Sequence, residues 1–184
     1  MYQDLSNPPV PADFNGKSKI RVQLWYLTWL FLFRPSPHAL NKFRLFLLRL
    51  FGAQVAGTVK IRPSAYVSYP WNLAVGEGTF IGDHVYIDSL TRVSVGAHVS
   101  LSNYAYVASG THDHKIVSFD LVLLPVTIED QCWLAIQSTV LPGVTLRKGC
   151  VVGARSLVTR DIPENEVWAG TPARFMNKRT ENGQ

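Results

Sequence analysis

Aliphatic residues recur every six positions over most of residues 55–162. Val55, Ile61 and Val67 stand six apart, as do Val75, Ile81 and Ile87, then Val95, Leu101 and Val107. After a break the rhythm resumes as Ile128, Leu134, Val140, Leu146, Val152 and Val158. A helix repeats every 3.6 residues and a half-buried strand every two, so neither gives this spacing. A three-sided prism of short strands does, each flat side using about six residues. One such unit cannot bury its aliphatic face alone and must stack on further copies. The pattern predicts an all-β chain built as a parallel β-helix of about five coils over residues 53–162.

A second regularity sets the coil length. LAVG (73–76), VSVG (93–96), VTIE (126–129) and VTLR (144–147) open successive coils, so early coils advance by 20 residues and late ones by 18. The fifth hexad positions Ala65, Thr79, Thr91, Ala105, Cys132, Ser138, Cys150 and Ser156 are small and fit the inside of a tight corner. Cys132 and Cys150 lie one coil apart and read as stacked core thiols. Between Val107 and Ile128 the hexad fails, because Asp113 and Pro125 occupy inward positions. Residues 108–127 must leave the prism as a loop, and a loop on a rigid scaffold is where chemistry usually sits.

Residues 1–52 form a separate N-terminal arm and helical segment. Two helical stretches, broken by RPSP at 34–37, are expected over residues 20–51, with Gly52 as the C-terminal cap. Leu40, Phe43, Leu47 and Leu50 fall on one helix face, which would cover the open end of the β-helix or lie in a membrane interface. The run Val22–Phe33 has 12 residues, fewer than the ~17–25 needed to span a bilayer. Residues 14–76 hold nine Lys or Arg and no Asp or Glu within a net charge of +5, which points to an anionic surface nearby. No zinc-finger, basic-zipper or RNA-binding signature accompanies this block, so no nucleic acid partner is expected. Residues 163–184 leave the coil through turns at Pro163 and Pro172 and are expected to end in a short tail helix.

His112, in the segment S-G-T-H-D-H, is the leading catalytic candidate: it sits five residues past the last inward position, at the root of the excursion. Imidazole is the side-chain type that titrates near neutrality, as a general base requires. His114 is second. His84 and His98 occupy fourth hexad positions, solvated corners with little claim to function. Asp88 follows inward Ile87 and should stack beneath Ala108, where it could orient His112 or hold a substrate hydroxyl; Asp113 competes for that role.

The hexapeptide coils, the T-H-D loop, CWLAIQSTVLPGVTLRKGCVVGARSLVTRDIP (132–163) and VWAGTPARF (167–175) resemble the left-handed β-helix acyltransferases. The segments QLWYLTW, FRLFLLRLFGA and YPWNL are similar to the colanic acid biosynthesis branch of the maltose and galactoside O-acetyltransferase-like family. The resemblance covers residues 3–178 and supplies the left hand of the coils, which periodicity alone does not give. It implies acetyl-CoA as co-substrate with no metal, and His112 as the catalytic base. The polar acceptor-side residue of the family falls on or beside Asp88, where this chain departs from its Asn. The pantetheine arm would bond backbone at Ala135, Ile136 and Ala154. Thr159 and Arg160 would flank the nucleotide end, and Arg174 would meet a coenzyme phosphate. A further basic position falls on Asn177, leaving that contact to Lys178.

These readings converge on an O-acetyltransferase acting on a sugar hydroxyl in polysaccharide biosynthesis. The acceptor would be a saccharide, free or lipid-linked, with Asp88, Asp113 and His114 on its side of the site. Transfer would be direct, between subunits of a homotrimer in the cytoplasm, at the inner face of a membrane if the helical segment anchors. The alternatives are an N-acetyltransferase on an amino sugar, a xenobiotic O-acetyltransferase, a γ-carbonic-anhydrase-like hydratase and a non-catalytic scaffold.

Overall fold

The computed structural model describes residues 9–12, 14 and 18–179, and within them the chain forms a parallel β-helix. The fifteen residues of the hexad rhythm all point inward, none more than 7% exposed. Face A stacks Gln54–Val55, Leu73–Val75, Val93–Val95, Val126–Ile128 and Thr145–Leu146. Face B stacks Lys60–Ile61, Phe80–Ile81, Ser100–Leu101, Trp133–Leu134 and Val151–Val152. Face C stacks Tyr66–Val67, Tyr86–Asp88, Tyr106–Ala108, Thr139–Val140 and Leu157–Val158.

The prism has about six coils rather than five. Ile162 bridges Leu146 on face A, and Glu166–Gly170 pairs with Val151–Val152 on face B. A strict count of six misses this turn because Ile162 follows Val158 by four residues. The rhythm then resumes, with Trp168 six past Ile162. The expected tail helix is also corrected. Ala173–Lys178 folds back antiparallel on Glu166–Gly170 and closes the edge of face B. Val167, Trp168 and Phe175 are strand formers, and the unpaired edge of the last coil supplies the partner they need.

The corners obey one backbone rule. The third residue past an inward position adopts positive φ at His84, His98, Tyr104, Gln131, Gln137, Arg155 and Asn165, and at Gly78, Gly143 and Gly149. Such a conformation is strained for side-chain-bearing residues and free for glycine. Gly78 has a second reason: a Cβ there would run into the His98 imidazole of the next coil. His84 and His98 are therefore corner residues. Of the small fifth positions, Ala65, Thr79, Ala105, Cys132, Ser138, Cys150 and Ser156 are buried as expected. Thr91 is not. Early coils carry extra residues at that corner, and Ser89 and Ser109 fill the interior there instead.

The N-terminal segment folds as α1 (Lys19–Thr28), a π-helical turn (Trp29–Phe33) and α2 (Asn41–Leu50), ending at Gly52 with φ +97°. It covers the first coil, whose unpaired edge displays carbonyl groups. Trp25 Nε1 donates to Val67 O (2.6 Å), Trp29 Nε1 to Ala65 O (2.8 Å) and Asn41 Nδ2 to Val59 O (2.8 Å). Arg44 Nε donates to Ile61 O (3.0 Å), and Arg49 Nε and Nη2 to Val55 O (2.9 and 2.8 Å). Asn41 Oδ1 also accepts from the Ile61 amide. This explains part of the acid-free block: a carbonyl edge needs donors, and a carboxylate would repel it. Arg44 and Arg49 thus serve the fold.

The same requirement overturns the expected face of α2. Arg44, Leu45, Leu47 and Leu48 face the solenoid, whereas Leu40, Phe43 and Leu50 are 48%, 36% and 65% exposed. Only Leu47 of the anticipated stripe is buried. The docking face had to carry hydrogen-bond donors, so the purely apolar stripe was left outside.

Candidate active site

The excursion after Val107 is an antiparallel hairpin, Gly110–His112 against Leu121–Leu123, with His112 opposite Leu121. Its base is tied to the prism by Leu124 N–H on Ser109 O (2.9 Å) and Val126 N–H on Arg92 O (3.1 Å). Gly110 passes so close to Leu90 that a Cβ would collide with that side chain. The hairpin leaves face C at this base and holds His112 exposed at its first strand's end.

His112 stacks on Phe119, ring centroids 4.4 Å apart and 6° from parallel, and its Nδ1 lies 2.8 Å from the Phe119 carbonyl oxygen. A carbonyl only accepts, so Nδ1 carries the proton and the neutral ring keeps its lone pair on Nε2. The imidazole is thus poised as a base through Nε2. Neither Asp88 nor Asp113 performs this orientation. The Asp113 carboxylate accepts from the Lys115 amide (2.9 Å), and its own amide donates to Asp120 O (2.9 Å), which shapes the turn. His114 is exposed beside it. The orienting group is a backbone carbonyl, which leaves no mark on side-chain identity.

Asp88 pairs in register with Ala108, one coil below the hairpin's root, as anticipated. Ser68 Oγ donates to Asp88 Oδ1 (2.9 Å) and lies 3.5 Å from Tyr86 Oη. Burial pushes the Asp88 carboxyl above its ordinary value, partly offset by the Ser68 bond. Around it runs a ladder of rings: Trp29 on Tyr66 (4.8 Å), Tyr66 on Tyr86 (5.1 Å) and Tyr86 on Tyr106 (5.2 Å). Burial first, then the neighbouring phenols and Asp88, push Tyr66 up to about 12. A half-buried carboxylate among phenols and a serine is suited to accept hydrogen bonds from sugar hydroxyls. Tyr66, Tyr86 and Tyr106 escaped the sequence reading, although their 20-residue spacing is itself a legible repeat.

Of the residues expected on the coenzyme side, Ile136 and Ala154 fall at outward corners. Ile136 and Ala154 stand one coil apart, Ile136 O accepting from the Arg155 amide (2.9 Å). No hydrogen bond among the described residues uses the amide N–H of Ile136 or Ala154. Two free amides at stacked corners, beside exposed Trp133 and Ile136, form a cradle that fits an extended amide-bearing arm. Ala135 is nearly buried, and its amide is spent on Val152 O (2.9 Å), so it contributes shape. Thr159 and Arg160 are exposed past the end of face C, and Arg174 is exposed on the hairpin strand opposite Ala169. Cys132 and Cys150 are buried with sulfurs 3.5 Å apart, so neither is open to a substrate as a nucleophile; the hydrogen bond with Cys132, and then burial, push the Cys150 thiol up. Among the described residues no three His, Cys, Asp or Glu converge as a metal site would require.

Comparison with known proteins places this geometry. No protein-family model matches the chain. The putative colanic acid biosynthesis acetyltransferase WcaF of Escherichia coli K12 is 43% identical over 179 residues, covering 97% of this chain and 98% of that one. Among solved structures, a maltose O-acetyltransferase from Clostridium difficile superposes with a TM-score of 0.79 at 25% identity, over 90% of this chain and 91% of that one. A galactoside acetyltransferase in complex with coenzyme A gives 0.76 at 25% identity, over 88% and 82%. The chain belongs to the hexapeptide-repeat acetyltransferases, in the family of the colanic acid biosynthesis acetyltransferase.

Proposed function

We propose that the protein transfers the acetyl group of acetyl-CoA to a hydroxyl of a saccharide in polysaccharide biosynthesis. The observation that carries this reading is the 2.8 Å contact of His112 Nδ1 with the Phe119 carbonyl, which commits Nδ1–H and leaves Nε2 free to accept a proton. Nε2 takes the proton of the sugar hydroxyl as its oxygen attacks the thioester carbonyl. The coenzyme leaves as a thiol once the imidazolium returns that proton. Asp88, with Ser68 and Tyr86, orients the acceptor, and the Ile136 and Ala154 amides bind the pantetheine arm. Arg160 and Arg174 supply cationic contacts for the coenzyme's phosphates. Asp113 and His114 shape the acceptor side of the hairpin.

His112 is exposed on its hairpin, and Trp133 and Ile136 expose apolar surface at face B and the corner that follows it. These features support a closed ring of three chains, in which a neighbour's wall completes each site. The outward apolar stripes of the helical cap support peripheral association with the inner face of a membrane. No helix in the described residues is long and apolar enough to cross one.

The test is transfer from labelled acetyl-CoA to saccharide acceptors by wild type and His112→Ala. Loss of about 10²-fold or more in kcat with coenzyme binding retained supports the assignment; near-normal turnover refutes it.

A further inference from the structure

A cavity of about 480 Å³ opens between α2 and the first two coils of face B, lined by His38, Asn41, Arg44, Lys60, Ile61, Arg62 and Phe80. Three permanent cations share it, and one acid stands nearby: Asp83 Oδ2, 3.5 Å from Arg62 Nε. The other oxygen of that carboxylate accepts from Ser64 (2.8 Å).

Arg44 is 2% exposed, and all its partners are neutral: Ile61 O, Ser36 Oγ, Pro37 O and His38 O. A buried guanidinium without a counter-anion is an unbalanced charge in a low-dielectric wall. Burial and the Arg62 charge both push it below its ordinary pKa. Arg62 lies over Phe80, its Cζ 5.7 Å from the ring, and its Nη1 donates to His38 Nδ1 (2.6 Å), which holds its fork at the cavity. α2 begins here at Asn41 with no side-chain cap and no acid in its first turn, so its positive pole adds to the field. Lys60 is exposed at the rim and free to close on a ligand.

We infer that this cavity is a binding site for a phosphate or diphosphate group. The ligand's charge would balance Arg44 and be held directly by Lys60, Arg62 and the α2 amides. Acetyl transfer is not required for such binding, so the inference stands or falls separately from the assignment of His112. Two sources present this chemistry at the rim of an apolar cap: a lipid headgroup, and a phosphate borne by a saccharide.

The probe is inorganic pyrophosphate, titrated calorimetrically into the full chain in the presence of saturating coenzyme A, which closes the coenzyme site. Saturable binding near one per chain is expected, weakened about tenfold or more in Arg62→Gln, the scale of one charge-assisted hydrogen bond. Lys60→Gln, a change at an exposed residue that leaves the fold intact, should weaken it in the same direction. Displacement of pyrophosphate by phosphatidic acid vesicles but not by phosphatidylcholine vesicles identifies a headgroup. Displacement by glucose 1-phosphate but not by glucose identifies a phosphosaccharide. No saturable binding at millimolar pyrophosphate, or binding unchanged in both variants, overturns the proposal.

Discussion

The two ends of the solenoid face the same problem and solve it differently. A stack of parallel strands leaves an unpaired edge at each end, and such edges invite association with other chains. At the C-terminal end, backbone closes the edge: Glu166–Gly170 adds a strand to face B and Ala173–Lys178 returns antiparallel over it. At the N-terminal end, side chains do so, with Trp25, Trp29, Asn41, Arg44 and Arg49 donating to carbonyls of the first coil on all three faces. A backbone cap depends on strand propensity and tolerates substitution. A side-chain cap depends on individual donors, each irreplaceable.

That contrast is broken most severely at Arg44. Arg44→Met should cost on the order of 3 kcal/mol or more, because Ile61 O, His38 O and Ser36 Oγ lose their donor and Pro37 O keeps only the Leu40 amide. Urea unfolding at neutral pH measures it. A cost below 1 kcal/mol would show that the edge carbonyls find water instead.

The next comparison tests which side of α2 docks. Leu48→Ala should cost about 2–5 kcal/mol as a core truncation, whereas Leu50→Ala, at 65% exposure, should stay within about 0.5 kcal/mol. Thermal unfolding of the pair decides, and the reverse order would restore the face that hydrophobic spacing suggested. The same exposure sets the membrane test. Deleting residues 1–51 would uncap the solenoid, so Phe31→Gln, Phe46→Gln and Leu50→Gln together are the informative change, and they should release the protein from vesicles while leaving it folded.

Why one region was legible and the other was not follows from their chemistry. Val55 through Val158 repeat because each coil sits in the same environment, so period alone identified the inward residues. Asp88 beneath Ala108 could be placed because register follows from coil length. The docking face of α2 is set by carbonyls that lie 6–18 residues further along the chain, outside the helix itself, which the helix's own pattern does not report. The His112 partner was hidden for a related reason: a backbone carbonyl at Phe119 looks the same whatever residue carries it. The tail was misjudged because Ile162 breaks the six-residue count just before the last coil.

The smallest expected effect belongs to Asp88. Its folded carboxyl is raised above the unfolded value, so the folded state holds that proton more tightly and gains stability from it at low pH. The gain is lost as pH rises through the folded pKa. Asp88→Asn should therefore be modestly more stable than wild type at pH 7, with the difference shrinking as the pH falls towards the unfolded carboxylate value of ~4. Denaturant midpoints at both pH values check the sign. The same variant should raise KM for the saccharide more than it lowers kcat, as expected for an orienting group.

The backbone of the hairpin, not a carboxylate, sets which nitrogen of His112 is the base. Nitrogen-15 NMR of histidine-labelled protein, read above the titration of that ring, reports the tautomer directly. The neutral ring should carry its proton on Nδ1, with Nε2 showing the shift of an unprotonated nitrogen. A neutral ring protonated on Nε2 instead would rule out the Phe119 carbonyl as the group that orients His112.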